Sequence, residues 1–233
     1  NHNSYGSNII GSNRPLFYMS NGNSSYHEGV VLGCTESSNK LRLVSYEAPN
    51  VGFANELTHT MPSSNNAWTH YVISYNFTGT NRFIKVYMNG LLITNKPLTH
   101  NMPIPTNKKM YFLGWTESNN SMIGKIDDIK LFNENISPAK VLDLYMEGEA
   151  ENEFVYGANA VKYNFSNNLD DAIGDHDLIS IGTHEFLDSY ETPGNKSVNI
   201  NPYSAAASHF KIPVAYSSNI QHTYSVTAAF KLN

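Results

Sequence analysis

Asp170, Asp171, Asp175 and Asp177 fall within eight residues of one another around Gly174. Hard carboxylate oxygens gathered on a turn suit a calcium ion, although the stretch lacks the closing Glu of an EF-hand loop. The same side chains equally suit a turn in which aspartates satisfy backbone N–H groups. A second constellation is aromatic and amide-rich. Trp115 sits beside Asn119 and Asn120, where an indole can stack on a sugar ring and the amides can bond its hydroxyls. Tyr5, Tyr18 and Tyr26 are further candidates for stacking on glycans, whereas Trp68 begins an alternating run and reads as core.

Catalysis finds little support. Retaining glycoside hydrolysis needs two carboxyl groups roughly 5–5.5 Å apart, which on a strand means residues of alternate phase. Asp127 and Asp128 are adjacent, so they project to opposite faces. Asp127 shares a phase with Ile129 and Leu131, which predicts a buried, hydrogen-bonded carboxylate. Glu147, Glu149 and Glu151 alternate but lack apolar support. The run His184-Glu185-Phe186-Leu187-Asp188 opens like a zinc-protease motif without the second His that the chemistry needs. No serine nucleophile elbow or phosphate loop occurs, so the expectation is a non-catalytic protein.

The background composition agrees with a binding or structural role. Of 233 residues only 15% are charged, while 31 are Asn, 24 Ser and 15 Tyr, a mixture that favours turns and strands over long helices. A net charge of −5 offers no basic field for nucleic acid. No apolar run approaches a bilayer span. Cys34 is the single cysteine and cannot close an internal disulfide. Six Asn-x-Ser/Thr sequons occur, at Asn23, Asn76, Asn119, Asn135, Asn164 and Asn195. In a secreted protein Asn76 and Asn119, in predicted loops, are the candidate glycosylation positions. The chain opens at Asn1 without Met or a signal sequence, which reads as a processed chain or an excerpt of a longer one.

The elements that must carry these residues are mostly strands. Trp68 to Tyr75 and Phe83 to Met88 alternate with period two around the turn-forming Asn76 to Asn81. Asn89-Gly90 between Val86-Tyr87-Met88 and Leu91-Leu92-Ile93 predicts a type I′ hairpin. Met110 to Trp115 and Gly124 to Phe132 read as a strand pair around the polar loop Thr116 to Ser121. Tyr224, Val226, Ala228, Phe230 and Leu232 share one face of a last strand. One short helix is predicted, with Ser137 as N-cap, Pro138 in its first turn, and Val141, Leu142, Leu144 and Tyr145 as its apolar stripe. The acidic stretch Glu147 to Glu153 that follows reads as a solvated linker. Many strands, frequent turns and one helix predict an all-β antiparallel β-sandwich.

Five elements in order, Trp68-Thr69-His70-Tyr71-Val72, Val86 to Gly90, Gly114, Gly124 to Phe132 and Ile136 to Tyr145, resemble the second half of a laminin-G-like (concanavalin A-like) jelly-roll domain. Val161 to Phe165, Asn168-Leu169-Asp170-Asp171, Gly174, Gly194 to Val198 and Tyr224 to Phe230 resemble the first half of the same family. The order is therefore reversed, with residues 1–150 as a C-terminal half and 151–233 as an N-terminal half, and Asn233 followed by Asn1 reads as an unbroken domain centre. Three situations fit: a closed circular permutant, exchange in which one subunit's C-terminal half completes the next, or an excerpt of a tandem array.

The resemblance implies a jelly roll in which some members bind structural calcium, fed by the opening Asp loop and an acid near the Gly124–Asp128 strand. The expected function is a non-catalytic extracellular or cell-surface structural or adhesive module. Its sharper form is a filament subunit whose partners are copies of itself, head to tail. The alternative is a monomeric carbohydrate-binding, lectin-like domain that takes glycans, with or without calcium.

Overall fold

The computed structural model describes residues 13–20, 29–35, 40–46, 55–60, 68–77, 79–98, 109–113, 124–146, 160–165, 167–182, 184–188, 196–200, 209–212 and 223–232. Two antiparallel sheets account for most of them. With strands numbered in chain order, the first sheet runs β11 (Ile179–Ile181), β14 (His209–Lys211), β8 (Lys109–Phe112), β1 (Asn13–Ser20), β2 (Gly29–Thr35), β3 (Lys40–Tyr46) and β4 (Asn55–Thr60). The second runs β12 (His184–Asp188), β13 (Lys196–Ile200), β9 (Gly124–Phe132), β15 (Thr223–Leu232), β5 (Thr69–Asn76), β6 (Phe83–Met88) and β7 (Leu91–Pro97). A short β10 (Val161–Tyr163) also pairs with β9, and one helix, α1 (Pro138–Met146), completes the described elements.

Alternation sorts each strand between core and outer face. In the first sheet Phe17, Met19, Met110 and Phe112 enter one apolar core with Tyr71, Ile73, Tyr75, Ile84 and Val86 of the second. The intervening Val72 and Tyr87 join Phe132, Ile136, Val141 and Leu144 in a smaller cluster between the second sheet and α1. The expected antiparallel β-sandwich is the architecture observed, with one short helix among the described residues.

Local signals formed as their chemistry dictates. Asn89 and Gly90 both have positive φ, 49° and 77°, as a type I′ hairpin between β6 and β7 requires. Ser137 Oγ accepts the Lys140 N–H at 3.1 Å and caps α1, which starts at Pro138. The linker stretch 147–153 lies outside the described residues.

Long-range pairing departs from the sequence reading in one respect. Lys109–Phe112 and Gly124–Phe132 do not form a pair; β8 lies in the first sheet and β9 in the second. Their apolar residues Met110, Phe112, Ile126 and Ile129 all enter the shared core. Two runs that must each cover an opposite side of that core cannot also lie edge to edge.

What pairs with β9 comes from far along the chain. On one edge β15 matches it from Ser225↔Phe132 to Leu232↔Gly124. On the other, β13 covers Gly124 to Ile126 and β10 covers Ile129 to Leu131, end to end. Every described partner of β9 therefore lies beyond residue 160. The other edge of β15 pairs with β5 from Thr223↔Asn76 to Phe230↔Thr69.

Side chains reinforce the join. Ser225 Oγ, buried on β15, lies 2.8 Å from the Glu134 carbonyl and 2.9 Å from Ser74 Oγ, and accepts the Ile136 N–H at 3.3 Å. Ser74 Oγ donates onward to Asn135 Oδ1 at 2.7 Å, so the β9–α1 connection is tied to both β15 and β5.

The β6–β7 turn provides a test of local geometry. A Cβ at position 90 would sit in the left-handed region and 3.0 Å from Leu142 Cδ1. We expect Gly90→Ala to lower stability by about 1–2 kcal/mol in urea denaturation, with little change in the denaturant slope.

Candidate binding surface

The aspartate turn is organised around Asp171. Its Oδ1 accepts the Lys162 N–H at 3.0 Å and the Ile173 N–H at 3.2 Å, while its own N–H donates to Asp177 Oδ1 at 3.0 Å. Asp170 instead accepts the Asn168 amide at 2.6 Å, and Asp175 is exposed. Asp171 Oδ2 is buried and abuts Gly174, where a Cβ would approach it to 2.6 Å. Asp171 and Asp177 thus act on backbone groups of the turn, as short polar side chains do in Asx turns. Among the described residues no three His, Cys, Asp or Glu side chains gather to hold a cation.

The sugar candidates separate. Trp115, Asn119 and Asn120 lie outside the described residues, as do Tyr5 and Tyr26. Tyr18 is buried rather than presented, stacked on Tyr111 with ring centroids 6.0 Å apart. Its alternation with the core residues Phe17 and Met19 puts it on the outer face of the first sheet. Asn76 closes β5 instead of lying in a loop, and its Nδ2, the atom a glycan would occupy, donates to the Asn81 carbonyl at 2.8 Å. The run from His184 to Asp188 is strand β12, so it lacks the helix a zinc-protease motif requires.

The Asp127-Asp128 pair marks a bulge. Between the pairs Thr227↔Lys130 and Ala229↔Asp127, β9 spends Asp128 and Ile129 against Ala228 alone. Asp128 takes a positive φ of 53°, and its N–H donates to Asp127 Oδ1 at 2.9 Å. Asp127 is buried as expected, but the core phase jumps from Ile126 to Ile129, a step of three that simple alternation does not foresee. Beside the bulge the buried Lys130 ammonium pairs with Asp128 Oδ2 at 2.6 Å.

An exposed apolar ridge appears where α1 meets the β6–β7 hairpin. Leu91 and Leu92 are 70% and 50% exposed, and Leu142, Tyr145 and Met146 are 46%, 38% and 48% exposed. Gly90 lies against Leu142 and Tyr145, joining the two elements. The predicted stripe therefore splits, with Val141 and Leu144 buried and Leu142 and Tyr145 turned outward. Residues one apart on a helix differ by about 100° in direction, so only one of each pair can face the sheet. This surface was not evident from the sequence, where four apolar residues looked like a single buried face.

A family model described as the concanavalin A-like lectin/glucanases superfamily, of laminin G type, matches residues 7–142. The chain belongs to this superfamily. No curated protein matches it. A laminin G-like, concanavalin A-like domain fits a carbohydrate-binding or adhesive module, and such domains are generally non-catalytic and typically extracellular. No described helix is long and apolar enough to cross a membrane.

Substitutions at two places, the aspartate turn and the Asp128–Lys130 pair, test the polar arrangements of this laminin G-like domain. Asp171→Ala leaves two backbone N–H groups without their acceptor and should cost about 2–4 kcal/mol in urea denaturation, whereas Asp175→Ala should change stability by less than about 0.5 kcal/mol. Asp128→Ala strands the Lys130 charge and should cost about 3 kcal/mol, with most of that recovered by adding Lys130→Met.

Proposed function

We propose that the protein is a non-catalytic structural or adhesive module whose C-terminal segment completes a laminin G-like sandwich. The same pairing, made with the next copy head to tail, would build a filament. The observation that supports this reading is that, among the described residues, β9 pairs with no strand that precedes it: both of its edges are paired by β10, β13 and β15. A strand in that position exposes unpaired N–H and C=O groups on both sides until the later segment arrives, and it accepts that segment from whichever chain supplies it. Head-to-tail donation is a heterologous contact, which propagates unless it closes into a ring. Extracellular or cell-surface location accords with such a role, and the permuted order of the two halves is part of the proposal.

A carbohydrate-binding module is the second reading, favoured by the superfamily match. There Trp115, Asn119 and Asn120 are the proposed glycan contacts, with binding lost on Trp115→Ala in a glycan array.

Light scattering after gel filtration, with negative-stain imaging of the same peak, tests the assembly. We expect a ladder of multiples of the 26.0 kDa chain and beaded fibres with one bead per chain. A single 26.0 kDa species at every concentration would overturn exchange and leave a closed module.

A further inference from the structure

The outer face of the second sheet buries ionisable groups where the hairpin and α1 meet. His70 on β5 is buried there. Its N–H donates to Asn89 Oδ1 at 3.0 Å and its carbonyl accepts the Asn89 N–H at 2.9 Å, clamping the strand to the hairpin turn. Its ring lies 6.0 Å from that of Tyr145 in the last turn of α1. Tyr145 in turn packs on Gly90, so strand, turn and helix meet at this imidazole.

Among the described residues, strand β9 and helix α1 bring ionisable groups near His70. Strand β9 contributes the Asp128–Lys130 pair and the adjoining Asp127, and α1 contributes the Tyr145 phenol. Strand β15 opposes His70 with Ala229, and the hairpin turn with Asn89, neither of which titrates. Burial pushes the imidazole down to about 4; the Asp128 carboxylate pulls it up, and the Lys130 ammonium pushes it further down.

We propose that His70 is an acid-responsive latch, whose protonation releases the cap formed by α1 and the hairpin from the second sheet. Charging the ring inside this packed junction demands hydration, and the nearest route to water is separation of Tyr145 and the turn from β5. The direction follows from the lowered affinity for protons. Above the ordinary histidine value of about 6.5 the ring is neutral whether the cap is closed or open, and pH has no effect. Below it the open form binds a proton that the closed form does not, so opening gains ground as pH falls and levels off once the closed form also protonates. The lower limit of that window is about 4.

Amide hydrogen exchange on the full chain, corrected for intrinsic rates, reads the cap directly. Between pH 6.5 and 4.5 the amides of Val141 to Met146 should lose protection about thirtyfold relative to β1 and β2. In His70→Gln the loss should stay below about threefold, because no ring remains to charge. In the wild-type protein the imidazole resonances should titrate with a midpoint near 4. A midpoint at or above the ordinary histidine value, an α1 that keeps its protection at pH 4.5, or an equal loss in both proteins would each overturn the latch. If His70→Gln does not fold, the wild-type curves decide. The proposal stands only when loss of α1 protection follows the open-form titration, and falls when it does not.

Discussion

Among the described residues, strand β9 is paired on both edges by strands from beyond residue 160, and the second sheet depends on that. A strand inside a sheet carries backbone donors and acceptors along both edges, and leaving them unpaired in the interior costs more than any side-chain contact returns. Here β15 covers one edge while β13 and β10 divide the other. The first sheet shows the same dependence in weaker form, since β14 adds to β8. Strands from before residue 147 and from beyond residue 160 are thereby welded into one hydrogen-bond network. Ser225, bonded to the Glu134 carbonyl and the Ile136 N–H, extends the weld from the sheet to the connection leading into α1.

That weld carries a local irregularity. Matching β15 to β9 along its length requires the bulge at Asp128 and Ile129, which tilts Asp128 into a left-handed conformation and sets its carboxylate on Lys130. The result is a buried ion pair close enough to His70 to influence its charge, with burial holding the imidazole neutral. Buried pairs of this kind add little net stability, because desolvation offsets attraction, but they make the site sensitive to any change in charge. The exposed ridge of Leu91, Leu92, Leu142, Tyr145 and Met146 sits over the same junction.

Membership of the concanavalin A-like superfamily rests on residues 7–142, and a domain of this kind fits a carbohydrate-binding or adhesive module. What the aspartate turn does is clearer than its composition suggested. Asp171 organises the backbone from Lys162 to Ile173, and Gly174 is required because a side chain there would strike the Asp171 carboxylate.

The sequence by itself determined whatever depends on near neighbours. Period-two alternation marked β5, β6 and β15, Asn89-Gly90 marked the hairpin, and Ser137 marked the start of α1, because each reflects steric or hydrogen-bond preferences within a few residues. Asp127 is buried as expected, but not on the face it was expected to share with Ile129 and Leu131, because the bulge takes it out of phase with them. Tertiary structure alone decided which strands became partners. Residues 109–112 and 124–132 look like a hairpin from their spacing, yet the shared core separates them into opposite sheets. It also decided that a bulge would shift the phase of β9, that Tyr18 would be buried against Tyr111, and that half of the α1 stripe would face outward. Each of these outcomes depends on what another part of the chain presents, and pairing between residues a hundred positions apart leaves no periodic trace in either segment.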